Sequence, residues 1–296
     1  MLVILKNYIK KKIPNNSKLY ILLLFFKHFK FHLLKTLIQM IYFDFVKKNI
    51  SIKVNENEIL LTCQEFNTIS YFIDNKINEK IILTFIYNYF KESNKVFLDI
   101  GGFIGLHSLM CANSSDKSKI YSFEANQKIY NIFLKNIKIN NLKNIVLDSR
   151  FITSDEDIRN KNDFTNYNKN TITINSYLKE QNISKVDLLK IDIEGLEVGV
   201  LKNLDFSRFK IIFIEFHINI IKHQIKKDPK ELIKILKKNY KIHYLNHRLD
   251  NPDINEFDEE YIENLDECML ICHNEDIDNL KIFFNKNITF SLKKFI

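Results

Sequence analysis

Phe97-Leu98-Asp99-Ile100-Gly101-Gly102-Phe103-Ile104-Gly105 sets a short apolar run, a glycine turn and a helix start in immediate succession. The turn stands out because glycine is scarce elsewhere. At an average usage of roughly 7% a chain this long would hold about twenty, yet the 296 residues hold five: Gly101, Gly102, Gly105, Gly195 and Gly199. Glycine serves where the backbone takes positive φ or must come close to something, so these two clusters mark two places for function. Outward from the first, apolar runs alternate with helical stretches: Val96–Ile100, Ile120–Phe123, Ile145–Leu147, Val186–Ile191 and Ile211–Phe216. That alternation predicts βαβ units around a mostly parallel α/β sheet with helices on both faces.

On the N-terminal side, residues 50–64 alternate around Asn55-Glu56-Asn57 and predict a β-hairpin. A helix follows over 78–93, with Ile81, Ile82, Phe85, Ile86 and Phe90 as its stripe. On the C-terminal side, a helix from Pro229 to about Lys238 precedes two strand-like runs, Lys241–Leu245 and Cys268–Cys272, which fit an antiparallel hairpin at the sheet edge. Residues 154–171 form a polar loop. The expected organisation is an N-terminal extension over 1–77 and one Rossmann-like domain over 78–296.

The net charge of +8 is unevenly spread. Residues 1–50 hold ten lysines and a single acid, Asp44, whereas residues 51–296 hold 34 basic and 35 acidic residues. The bulk of the chain is therefore near neutral, which argues against nucleic acid as partner. The N-terminal basic segment has no uncharged stretch long enough to span a bilayer and lacks a signal-peptide cleavage pattern. It reads as a basic amphipathic helix with three open destinations: its own domain, an anionic membrane surface through residues 1–48, or the acidic stretch 249–267, met within the chain or across a homodimer. Cys63, Cys111, Cys268 and Cys272 lack CxxC pairing and fit ordinary thiols in a reducing cytoplasm.

Ligands of open α/β sheets bind at the carboxyl ends of the strands. Ile100 stands where a dinucleotide fingerprint needs its first glycine, Asp99 would repel a pyrophosphate, and no Walker lysine follows. A ligand without phosphates is favoured. Asp99, Glu124, Asp192 and Glu215 all fall at the ends of predicted parallel strands, so acids converge on one rim. Such a rim suits positive charge and sugar hydroxyls, which S-adenosylmethionine carries.

These residues resemble the FkbM family of S-adenosylmethionine-dependent methyltransferases, over roughly Asn78 to Glu215 with weaker agreement to about residue 272. Three blocks carry the resemblance: Asp99–Gly105 for Asp-x-Gly-Ala-Asn-Ile-Gly; Phe123-Glu124 with the Asn136 and Asn140 helix; and Lys190–Glu197 for Lys-Ile-Asp-x-Glu-Gly-x-Glu. The resemblance implies S-adenosyl-L-methionine as cofactor, held by Asp99, Gly101, Gly102, Phe103, Gly105, Glu124, Ser149 and Asp192, with Glu124 on the ribose. It also implies methylation of a hydroxyl on a sugar, glycan or related small-molecule acceptor. The chain departs from the pattern at Gly102-Phe103 (usually Ala-Asn), at Asn175 (usually Asp) and at Phe151 (usually small).

Asp192 is the first candidate for base or acceptor positioning, Glu194 and Glu215 follow, and His217 shares the side of Glu215, its imidazole being a side chain commonly used as a base. For His217 and Glu197 the plainer readings are a structural histidine and a solvated helix carboxylate. His107 reads as structural. Asp192, Glu215 and His217 also offer ligands to a divalent ion, although no metal is assigned. Two other functions stay open, a metal-dependent glycosyltransferase using Asp192 and Glu194, and a catalytically silent cofactor-binding module.

Overall fold

The fold was obtained as a computed structural model. It describes residues 49–55, 57–62, 77, 79–154, 170–259, 265–284 and 288–294. The basic segment 1–48, Cys63 and most of the polar loop 154–171 lie outside the described residues. The chain divides into two compact units, 1–48 with 63–77, and 49–62 with 78–296. The hairpin expected in the extension therefore falls in the larger unit. No helix among the described residues is long and apolar enough to cross a membrane.

The hairpin strands are β1 (Asn49–Val54) and β2 (Asn57–Thr62), with Asn55 at φ 52 in the turn. Helix α1 (Lys80–Phe90) leads into β3 (Val96–Ile100), the glycine turn and α2 (Leu106–Ser114). Next come β4 (Lys119–Phe123), α3 (Gln127–Ile139), β5 (Ile145–Asp148) and the short pair β6 (Phe151–Ile152) and β7 (Thr171–Ile172). The centre continues through α4 (Ile174–Glu180), β8 (Val186–Ile191), α5 (Glu197–Leu201), β9 (Phe209–His217) and α6 (Pro229–Lys237). It closes with β10 (Lys241–Leu245), β11 (Asn255–Glu256), β12 (Glu267–His273), α7 (Ile277–Phe284) and β13 (Phe290–Lys294).

Eight strands form the central sheet in the order β11-β10-β12-β9-β8-β3-β4-β5. The run from β9 to β5 is parallel, and β12 and β10 add to it antiparallel, as the sequence predicts. Strand β3 lies between β4 and β8, so the winding direction reverses there. A crevice opens at such a reversal, beyond the carboxyl ends of the strands.

Alternation along the strands gives the two sheet faces different chemistry. One is wholly apolar: Leu98, Ile100, Leu189, Ile191, Ile212, Ile214 and Phe216 pack with Tyr177 and Leu178 of α4 and with Leu232, Ile233 and Leu236 of α6. The other begins apolar, with Phe97 against Phe90 and Phe213 against Phe85 and Phe284. Toward the carboxyl ends it turns charged at Asp99, Lys190, Asp192, Glu215 and His217. Asp99 and Lys190 are direct register partners and therefore share that face.

The hairpin is tied to this framework by α3. Asn136, fully buried, accepts from Thr62 N at 2.8 Å and donates to Ile104 O of the glycine turn at 2.9 Å. Asn140 accepts from Leu60 N at 2.7 Å. Strand β13 pairs with β1 and completes a three-stranded sheet that the sequence pattern does not reveal.

Two departures from the family pattern have local reasons. Asn175 donates to Asn203 O at 2.7 Å and accepts from Asp205 N at 3.1 Å, a two-way clip that an aspartate cannot make because it has no donor. Phe151 is a buried core residue of β6. The cysteines described, Cys111, Cys268 and Cys272, are buried free thiols.

Candidate active site

The glycine turn is closed by its own hydrogen bonds. Gly101 N and Gly102 N both donate to Phe123 O, at 3.1 and 2.8 Å, and Gly105 N donates to Gly102 O at 2.8 Å. Phe103 N donates to Glu124 Oε2 at 3.0 Å. With these four N–H groups engaged inside the protein, the turn offers no phosphate nest. Gly101 is needed for close approach: at φ +80 a Cβ there would lie 1.8 Å from the carbonyl oxygen of Asp192. A Cβ on Gly105 would lie 2.1 Å from the Phe133 ring, so α3 packs directly on the turn. Phe103 sits at φ 50, a conformation asparagine takes with less strain than phenylalanine, which is the physical content of that departure.

Acids line the same crevice. Asp99 is fully buried; its Oδ2 accepts from Ser108 Oγ at 2.6 Å, while Oδ1 has no partner. Asp99 thus lies beneath the rim rather than on it. Glu124 follows β4 and accepts from Asn126 N at 2.8 Å through its other oxygen. Burial pushes its carboxyl up to about 7, against the opposing pull of the Asn126 and Phe103 N–H groups. Ser149 follows β5 at the far end of the rim, half-buried.

On the other side of β3 lies a connected charge network. Lys190, 1% exposed, places Nζ 3.3 Å from Asp192 Oδ2. Burial alone would depress Lys190, but Asp192, Asp99, Glu79 and Glu215 together raise it, so it stays charged. Burial raises Asp192 well above the usual carboxylate range against the effect of Lys190, and Glu215 adds to the rise. Burial would raise Glu215 too, yet hydrogen bonds from His247 and Asp192 and the charge of Lys190 take it below the usual range. Glu215 Oε1 lies 3.0 Å from His247 Nε2 and 2.8 Å from the Arg248 guanidinium, which also reaches Glu267 at 2.9 Å. Glu79, just before α1, lies 3.0 Å from His107 Nε2; burial raises its carboxyl, but His107 and Lys190 hold it at about 2.

His217 Nε2 lies 3.6 Å from Glu215 Oε1 and 3.8 Å from Glu194 Oε2. Asp192, Glu215 and His217 therefore converge, and Glu194 reaches the group from the turn that holds Gly195 at φ 97. Glu197 is not a solvated helix carboxylate: it is fully buried, with Oε1 accepting from Ile193 N at 3.2 Å and Gly195 N at 3.3 Å, and burial raises its carboxyl. His107 is paired with Glu79, in keeping with a structural part. The sequence reading gave no role to Lys190, Glu79, His247 or Arg248. Of these only Lys190 carried a signal, as a charge between Leu189 and Ile191 near the end of a largely apolar strand.

Residues 99–242 match the family model for the methyltransferase FkbM domain. This segment is an FkbM methyltransferase domain. Its methyl donor is S-adenosylmethionine, in line with the phosphate-free, acid-lined turn. The FkbM match also spans Asp192-Ile193-Glu194, on which a glycosyltransferase reading would have depended. Comparison with curated proteins finds no match. Among solved structures the chain is similar to the precorrin-6y C5,15-methyltransferase of Geobacter metallireducens (12% identity, 68% of this chain and 90% of that one, TM-score 0.41). It is also similar to an O-methyltransferase from Bacillus cereus in complex with SAH (11%, 66% and 80%, TM-score 0.43). A third is the tRNA (uracil-54, C5)-methyltransferase of Pyrococcus abyssi in complex with S-adenosyl-L-homocysteine (14%, 76% and 44%, TM-score 0.42).

The residues of the FkbM domain fit its cofactor. The crevice presents the Glu124 carboxylate, with the buried, unpartnered Asp99 Oδ1 beneath it, while the N–H groups of Gly101, Gly102, Phe103 and Gly105 are engaged within the protein. Such a lining binds a molecule that brings donors and positive charge.

Proposed function

We propose that the protein methylates a hydroxyl of a sugar, glycan or related small-molecule acceptor. The observation that carries this reading is the convergence of Asp192, Glu215 and His217 beside the acid-lined glycine turn. S-adenosylmethionine, when bound, supplies a methyl group on a positively charged sulfur. Glu124 would hold its ribose hydroxyls, Asp99 and Asp192 would favour its positive groups, and Gly101 to Gly105 with Ser149 would bound it.

Exposure sorts the candidate catalytic residues. Glu215 has 3% of its side chain exposed and is enclosed by His247 and Arg248, which suits holding the network rather than touching the acceptor. Asp192, at 22%, is where that network reaches solvent, so it positions the acceptor hydroxyl. Glu194, at 74%, is open to water and suits removal of the hydroxyl proton, with His217 beside it. The near-neutral charge of residues 51–296 favours such an acceptor over nucleic acid. We place the reaction in the cytoplasm, with residues 1–48 available to an anionic membrane surface or a dimer partner.

Titration calorimetry with S-adenosylmethionine followed by transfer of labelled methyl to hydroxyl acceptors tests the proposal. Absence of binding heat, or label only on nitrogen or carbon, would overturn it. Glu124 adds a pH signature. Hydroxyl donors bind its ionised form better, and that form grows as pH rises through about 7. Affinity for the cofactor should therefore rise about tenfold from pH 6 to pH 8. Glu124→Gln should weaken binding and flatten that slope; an unchanged profile would remove Glu124 from the ribose.

A further inference from the structure

We infer that Asp192, Glu215 and His217 form a binding site for a first-row divalent cation of the Mn2+ type, which holds the acceptor hydroxyl. The inference deepens the proposed methyl transfer and rests on it for its chemistry, but not for the site itself. The three residues come from the ends of the adjacent strands β8 and β9, and one ligand atom from each lies within 4.8 Å of the others.

The histidine is what separates this group from a mere cluster of acids. His217 has 7% of its side chain exposed, and neither ring nitrogen makes a hydrogen bond: Nδ1 has no partner, and Nε2 points between two carboxylates at 3.6 and 3.8 Å. Those distances are too long for hydrogen bonds. The 3.6 Å between Nε2 and Glu215 Oε1 lies within the span of two donors to one ion, since ligands about 2.1 Å from a metal are at most about 4.2 Å apart. The cost of a buried nitrogen without a partner falls on Nδ1, while Nε2, facing the two carboxylates, is the atom placed to hold a cation.

Charge points the same way. Glu79, Asp99, Asp192, Glu197 and Glu215 are buried or largely so, and Glu194 joins them at the mouth, whereas among the described residues the permanent cations paired with them are Lys190 and Arg248. A metal-bound histidine normally gives its other N–H to a carboxylate. Here His217 Nδ1 and the fully buried Glu197 Oε2 both lack partners, and the two residues interact electrostatically. In the neighbouring group of Glu79, Glu215 and His247 every member is buried and Glu79 is tied to His107 and Arg248, whereas Asp192 opens the outer trio to solvent. The outer trio therefore takes the ion.

Two carboxylates and one imidazole leave too few oxygens for Ca2+ and favour Mn2+, Fe2+ or Zn2+ over Mg2+. The remaining coordination positions admit an acceptor oxygen. The ion lowers the pKa of the hydroxyl; its proton passes to Glu194 and on to water. The oxygen then forms a bond to the methyl carbon as the carbon–sulfur bond breaks, and sulfur keeps the electron pair.

The test titrates Mn2+ alone into the untagged, chelator-treated full chain, read by calorimetry and by electron paramagnetic resonance. Saturable one-to-one binding with nitrogen hyperfine coupling from the imidazole is expected, and this requires no variant. His217→Gln should abolish the nitrogen coupling, and Glu197→Gln should weaken Mn2+ by about 10–100-fold, with circular dichroism confirming the fold. Non-saturating binding, or a bound ion without nitrogen coupling, would overturn the site. Cofactor titration in excess chelator separates the two readings. S-adenosylmethionine binding without a Mn2+ site leaves the methyltransferase standing and sinks the cation; Mn2+ binding without cofactor binding supports the site and sinks the methyltransferase reading.

Discussion

Replacing Lys190 by methionine is expected to destabilise the protein by about 3–5 kcal/mol, the cost of removing one partner from a buried charge network. The lysine is 1% exposed, contacts Asp192 at 3.3 Å and shares its sheet face with Asp99. Methionine fills similar space, so a packing change is not the cause. The loss should show as a lower urea midpoint at pH 8 and should shrink at pH 5. Without the lysine, the carboxyls around it take folded-state pKa values above those of the unfolded chain. Stability tied to such groups is fully present below the unfolded values and is lost as pH rises through the folded ones. An unchanged midpoint at pH 8 would show that Lys190 does not balance these acids.

For Asp192→Asn the expected result is catalytic. Turnover should fall by about 10²–10⁴ while binding of S-adenosylmethionine persists. The substitution keeps the shape of the side chain that carries the network to solvent and removes its acidic proton beside Lys190. Single-turnover transfer of labelled methyl, alongside calorimetric cofactor binding, separates the two effects. Retained turnover would remove Asp192 from the mechanism; loss of cofactor affinity instead would move it into the cofactor site.

Much of the framework follows from local pattern. The run ending at Ile100, the glycines after it and the helix from Leu106 are contiguous, so their strand–turn–helix order is written in neighbouring residues. The same holds for β4, β8, β9 and the hairpin, whose apolar periods differ from those of the helices between them. Pairings between distant segments leave no such period. Strand β13 joins β1 across more than two hundred residues, and Asn136 links the hairpin to the glycine turn through single hydrogen bonds.

The candidate site divides along the same line. That Asp99, Glu124, Asp192 and Glu215 end parallel strands is legible in sequence, because strand ends are local. What each carboxylate does depends on through-space neighbours: Arg248 and His247 reach Glu215 from beyond β10, and Glu197 folds under its own turn to hold Ile193 and Gly195. The glycines show the division most directly. By itself the sequence determined where the chain turns tightly, and that the ligand there carries no phosphate, because an acid stands beside the turn and a fingerprint glycine is missing. Only the tertiary structure decided why the turn needs glycine. Gly101 makes room for the Asp192 carbonyl and Gly105 for the Phe133 ring, contacts across the fold that spacing along the chain does not encode.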